Sequence, residues 1–176
     1  KPSITSTTKN IITEATLEMV GSGTTSTGTS ITLPSGLQQN DLVFVASIRG
    51  GTSMPNIPSG YTEGQSGDVK GVQYQWSYKR MGSTPDSTVT GLTGTAHVAF
   101  AFRGVDPDTI FDVTTPTAVS GTTGMPNVPG ISGSTTVSGC VIVGIGFLDD
   151  DAITPTASSG TLIAYANNAN TIMAAY

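Results

Sequence analysis

Two groups of aspartates are the first residues in this chain that could do chemistry. Asp149, Asp150 and Asp151 follow an apolar stretch directly, and Asp106, Asp108 and Asp112 lie within "VDPDTIFD". Calcium takes carboxylate oxygens presented by loops, so both groups are candidate calcium sites. Neither has EF-hand spacing, because the glycine of the sharp turn and the closing glutamate are missing. A solvated turn at a strand end is the plainer account, and Asp106-Pro107 is ordinary turn chemistry. The expectation is a chain without a cofactor, with calcium as the one candidate ion.

Catalytic groupings are sparser still. His97 is the single histidine and Cys140 the single cysteine. A Cys–His dyad needs both at adjacent strand ends with a third group to orient the base. Both fall inside strand patterns, and Cys140 in "SGCVIVGIG" reads as a buried, inert thiol. Glycoside hydrolysis needs two carboxyls in one cleft. The only glutamates are Glu14, Glu18 and Glu63, two of them near the N-terminus. "GSGTT" at 21–25 lacks the lysine and the following helix of a phosphate loop, and no set of zinc ligands exists. No catalytic residue is assigned. The row Tyr74, Trp76, Tyr78 alternates with polar residues, which places it in a core and not on a sugar platform. Tyr61, just after Pro58-Ser59-Gly60, is the better-exposed aromatic and the candidate glycan contact.

The elements that must position these residues are strands. Of the 176 residues only 11% are charged and 36% are hydrophobic, while glycine, serine and threonine dominate. Hydroxyl side chains tolerate and solvate extended backbone. Net charge is −5, and the seven basic residues are scattered, so the basic cluster that nucleic acid or an anionic membrane requires is absent. One cysteine excludes an internal disulfide. The longest apolar run, Val141 to Leu148, is too short to span a bilayer. The first residues have no signal-peptide pattern and no initiator methionine, which suggests numbering that begins inside a longer or processed chain. No Asn-x-Ser/Thr acceptor occurs.

Period-two alternation marks the strands. In "VQYQWSYKR" (72–80) Val72, Tyr74, Trp76 and Tyr78 face one way and polar residues the other, which predicts a half-buried strand. In "HVAFAFRGV" (97–105) large apolar residues alternate with small ones, which predicts a central strand. "DLVFVASI" (41–48) and "CVIVGIGFL" (140–148) read as strands covered on both faces. "TEATLEMV" (13–20) is expected to be an early strand. Turns at Pro34-Ser35-Gly36, Pro58-Ser59-Gly60, Asp106-Pro107-Asp108 and Ser158-Ser159-Gly160 separate them. Together these predict one all-β domain over 1–176, an antiparallel sandwich of jelly-roll type, with residues 1–20 as an arm or edge strand.

The order strand, loop, strand, strand occurs twice. Leu42 to Cys140 and Tyr78 to Tyr176 each span 98 positions, and Gly60 to Gly160 spans 100. The echo of Met-Pro-Asn at Met54 and Met125 spans only 71 and does not follow this spacing. A pseudo-repeat is therefore expected, with the literal motif a coincidence of composition. After Tyr78 the first unit continues into "HVAFAFRGV", and nothing corresponds after Tyr176. The place of that closing strand is expected to fall to a missing part of the chain or to a neighbouring subunit.

"LPSGLQQNDLVFVASI", "IPSGYTEG", "YQWSYKR" and "AFRGVDP" together resemble a β-sandwich or jelly-roll domain of tailed-bacteriophage virion proteins, also found in bacterial surface proteins. The matching positions are Pro34-Ser35-Gly36, Asp41, Pro58-Ser59-Gly60-Tyr61-Thr62, Tyr78-Lys79 and Phe102-Arg103-Gly104-Val105-Asp106, within about residues 28–148. Tyr61 stands where tryptophan is commoner. The resemblance implies a structural or adhesive module: a capsid decoration or fibre protein of a virion, non-enzymatic, whose partners are further copies of itself, other virion proteins and a host-surface glycan. The alternative it leaves open is a bacterial extracellular adhesin or carbohydrate-binding module. Arg103 is expected to pin a strand end by pairing with Asp106 or Asp41.

Overall fold

The computed structural model describes residues 16–25, 28–69, 71–112, 138–148, 161–168 and 171–176. They form ten strands: β1 (Glu18–Thr25), β2 (Ser30–Thr32), β3 (Leu42–Gly50), β4 (Thr62–Val69), β5 (Val72–Arg80), β6 (Thr88–Thr90), β7 (Ala96–Arg103), β8 (Gly144–Leu148), β9 (Leu162–Asn167) and β10 (Thr171–Ala175). The all-β, antiparallel expectation holds. A five-stranded sheet runs β1-β7-β3-β5-β4, a three-stranded sheet β8-β10-β9, and a two-stranded sheet β2-β6.

The five-stranded sheet is the middle layer, and its two faces are set by alternation. Leu42, Phe44, Ala46 and Ile48 of β3 point one way, level with Phe102, Phe100, Val98 and Ala96 of β7. With Val72 and Trp76 they pack on Ala164, Ala166, Ile172 and Ala174 of the three-stranded sheet. Phe44 stacks on Phe100 at 5.1 Å, Tyr74 stacks on Phe147 at 4.7 Å, and Tyr176 meets Phe102 edge-on at 5.9 Å. The row Tyr74, Trp76, Tyr78 thus belongs to the core, as its alternation predicts. On the other face Val43, Val45, Ala99 and Ala101 pack against Ile31 and Val89 of the two-stranded sheet, with Leu33, Met81 and Leu92.

This second layer changes several expectations. β5 is not half-solvated: Gln73, Gln75 and Ser77 on its polar side are buried too. β7 is interior but not central; β3 holds the centre, and β7 lies between it and β1. The early strand begins at Glu18, and positions 13–15 lie outside the described residues. The run 140–148 is not a strand covered on both faces. It becomes extended sheet only from Gly144, and only Gly146 is fully buried. Cys140 precedes the strand and is exposed, because without ladder pairing nothing draws that turn into the core.

The pseudo-repeat is present in the topology. β3, β4 and β5 lie in the order β3-β5-β4, and β8, β9 and β10 in the order β8-β10-β9. The second strand of each unit carries a bulge near its start, at Gly64 in β4 and at Ile163 in β9.

Candidate functional site

Some of the residues that carry the resemblance, Gly36, Asp41, Arg103, Val105 and Asp106, meet at one corner. Asp41, just before β3, is 1% exposed. Arg103 at the end of β7 grips it with both ends of its fork, Nε to Oδ1 at 2.9 Å and Nη2 to Oδ2 at 2.8 Å. The same Nη2 donates to the Gly36 carbonyl at 2.9 Å, and the Gln38 amide donates to Asp41 Oδ2 at 2.7 Å. A planar guanidinium suits this two-pronged geometry in a way that an ammonium does not. The bond from Asp41 raises the Arg103 pKa. Of the two expected partners, Asp41 is therefore the one Arg103 takes. Arg80, at the end of β5, closes the corner by donating to the carbonyls of Asn40, Val105 and Asp106. Two loops, the one before β3 and the one after β7, are tied together there by two arginines.

A second grouping was not anticipated. Ser47 of β3 stands opposite Gln75 of β5 and opposite His97 of β7. The three are 1%, 1% and 0% exposed. Ser47 Oγ lies 2.7 Å from His97 Nδ1. Among the described residues, neither Gln75 Nε2 nor Oε1 nor His97 Nε2 has a hydrogen-bond partner. Burial lowers the His97 pKa below its ordinary value, and the nearby backbone of Gly94 and Gly28 opposes this only in part. Ser47 and His97 are polar residues in otherwise apolar strands, a signal present in "VFVASI" and "HVAFAF", whereas Gln75 lies on the polar side of β5 with Gln73 and Ser77. Sequence reasoning compared His97 with Cys140 and passed over Ser47.

Other candidates are placed singly. Asp106 Oδ1 accepts from the amides of Asp108 and Thr109 at 2.8 and 2.9 Å. Those bonds, with Arg80 nearby, hold its carboxyl below the usual range. It works as a turn residue, and Asp108 is exposed. Among the described residues no three His, Cys, Asp or Glu side chains gather as metal ligands. Asp149, Asp150 and Asp151 lie outside the described residues. Tyr61 is half-buried, not the freely exposed ring expected: it packs on the second core, and Lys79 Nζ sits over it at 5.7 Å. Its hydroxyl is enclosed, and burial followed by the Asp86 charge pushes its pKa up. Lys79 in turn pairs with Asp86 at 2.6 Å.

Two surface features remain. The loop after β3 presents Met54 and Ile57, 42% and 40% exposed, while Pro55 and Pro58 are buried beneath them. Asn56 pins this loop: its amide donates to Thr93 Oγ1 and its Nδ2 to the Gly91 carbonyl at 2.8 Å. β1 and β9 flank an open groove of about 460 Å³ lined by Ser22, Gly23, Thr24, Leu162, Ala164 and Tyr165. Ser22 Oγ donates across it to the Ile163 carbonyl. Compared with known proteins, the chain matches no family model, no curated protein and no solved structure.

Proposed function

We propose that this chain is a non-enzymatic structural module of a bacteriophage virion, a jelly-roll-like domain of capsid-decoration or fibre type. It works by assembling with further copies of itself and with other virion proteins. The observation that carries this reading is the corner. Asp41, Gly36, Arg103, Val105 and Asp106, five of the positions on which the resemblance rests, have their polar groups taken up by one another, by Arg80 and by backbone. They are a latch for two loops, which is a demand of architecture and not of chemistry. The pinned loop with Met54 and Ile57 supports the assembling part. Two apolar side chains held on a rigid loop lose little entropy on docking. Analytical ultracentrifugation of the isolated chain should find an oligomer, weakened by a Met54→Ser/Ile57→Ser variant whose thermal midpoint is unchanged. A monomer at all concentrations, with the variant indistinguishable, would count against the proposal.

A second reading, an extracellular adhesin or carbohydrate-binding module, draws on the β1–β9 groove. Hydroxyls of Ser22 and Thr24 face Tyr165, which is 38% exposed, so Tyr165 replaces Tyr61 as its glycan contact. Glycan-array binding abolished by Tyr165→Ala would favour it over the virion reading.

A further inference from the structure

Ser47, His97 and Gln75 hold a nucleophile, a base and an electrophile in a row that solvent does not reach. A hydroxyl hydrogen-bonded to an imidazole at 2.7 Å is the first half of nucleophilic catalysis. With the tautomer protonated at Nε2, Nδ1 is free to take the Ser47 proton. At 1% and 0% exposure this pair is closed to any substrate from outside. The acyl side chain directly opposite Ser47 in the β3–β5 ladder is the Gln75 carboxamide. Directly opposed residues on antiparallel strands hold their Cβ atoms about 4.5–5.5 Å apart, a gap that the two methylenes of a glutamine side chain are long enough to span. The carboxamide is also the worst-satisfied buried group described: both of its polar atoms lack partners. A buried polar group without a partner destabilises the fold, so this amide has a standing reason to be lost.

We propose that Ser47 and Gln75 are the site of an internal ester cross-link between β3 and β5, formed with His97 as the base. Ser47 Oγ attacks Gln75 Cδ while its proton passes to His97 Nδ1. The tetrahedral intermediate collapses by breaking the Cδ–Nε2 bond. The imidazolium returns the proton to the departing nitrogen, and one ammonia leaves. One C–O bond replaces one C–N bond, nothing is oxidised or reduced, and His97 ends neutral as it began. The burial that keeps His97 uncharged also withholds the water that would hydrolyse the ester. The row would then carry a covalent rung in the middle of the central sheet, in a module of any assembly or none.

Mass spectrometry of the intact wild-type chain decides the matter. The expected mass is that of the sequence less one ammonia. A tryptic digest under denaturing conditions should contain Asn10–Arg49 joined to Gly71–Lys79, and hydroxylamine should separate the two. Ser47→Ala should restore the full mass. A folded His97→Gln chain, verified by circular dichroism, should form the link far more slowly. A wild-type chain of full mass overturns the proposal, as does an ammonia loss that maps elsewhere. Equal cross-linking in His97→Gln removes His97 from it.

Discussion

Gly64→Ala tests how tightly β4 sits on the core. Gly64 is the extra residue of the β4 bulge, passed over between the pairs Glu63–Ser77 and Gln65–Trp76. A Cβ there would lie 2.0 Å from Trp76 Cζ3 and 2.2 Å from Cε3 and Cη2. Carbon atoms in contact prefer about 3.5–4.0 Å, so the ring or the strand must give by about 1.5 Å. The ring has little freedom. It is 8% exposed and lies 6.1–6.3 Å from the rings of Phe44, Tyr78 and Phe111. Overpacking of this kind costs about 1–3 kcal/mol. With a urea slope of about 1–3 kcal/mol per molar for a small domain, the unfolding midpoint should fall by about 1 M. Trp76 is the single tryptophan, so its fluorescence reports the perturbed ring directly and should shift in the native baseline as β4 lifts. Gly82→Ala is the control: no atom lies within 4 Å of its added Cβ, and its effect should stay within about 0.5 kcal/mol. An unchanged midpoint and emission spectrum for Gly64→Ala would refute the close approach.

His97 makes stability depend on pH in a definite direction. Its folded pKa lies below the ordinary 6.5, so the unfolded chain binds the proton first. The contribution is complete above about pH 6.5 and is lost as pH falls toward the folded pKa, by at most about 1.4 kcal/mol per pH unit for one proton. His97→Gln should flatten that limb of the urea midpoint against pH, and an identical slope in the variant would remove His97 as its source. Arg103→Lys should free the Gln38 amide, which donates to Asp41 Oδ2, and hydrogen exchange there should accelerate while Arg49→Lys leaves it unchanged. Unaltered exchange at Gln38 in Arg103→Lys would mean that the fork does not hold the corner.

Alternation made β3, β5 and β7 legible because large side chains at every second position leave a sheet only one way to bury them. It could not report the second layer. Gln73, Gln75 and Ser77 look like a solvated face, and in a two-layer sandwich they would be one. The short sheet β2-β6, three residues per strand, is too small to register as a pattern, yet it helps cover that face. The opposite error occurred at Cys140. A continuous apolar run says that residues avoid water, not which of them enter a ladder. The corner was half legible: Arg103 was expected to pair with Asp41 or Asp106, and only the packing of the two loops decides between a buried carboxylate and one already committed to its own turn.

The pseudo-repeat explains why the two units look alike in order but not in burial. Equal spacing of strands and turns constrains which strands become neighbours, and β3-β5-β4 and β8-β10-β9 are the same solution reached twice. The bulges repeat with it, at Gly64 near the start of β4 and at Ile163 near the start of β9. Burial depends instead on what each unit is given to cover. β3 has β7 beside it and the β2-β6 layer on its outer face, so Val43 and Val45 are sealed. β8 has β10 on one side and, among the described residues, no strand on the other. It accordingly alternates glycine with large residues that are only half-buried. The difference between the units is thus a difference of neighbours, and an apolar run takes its burial from the layers around it, whatever its own composition.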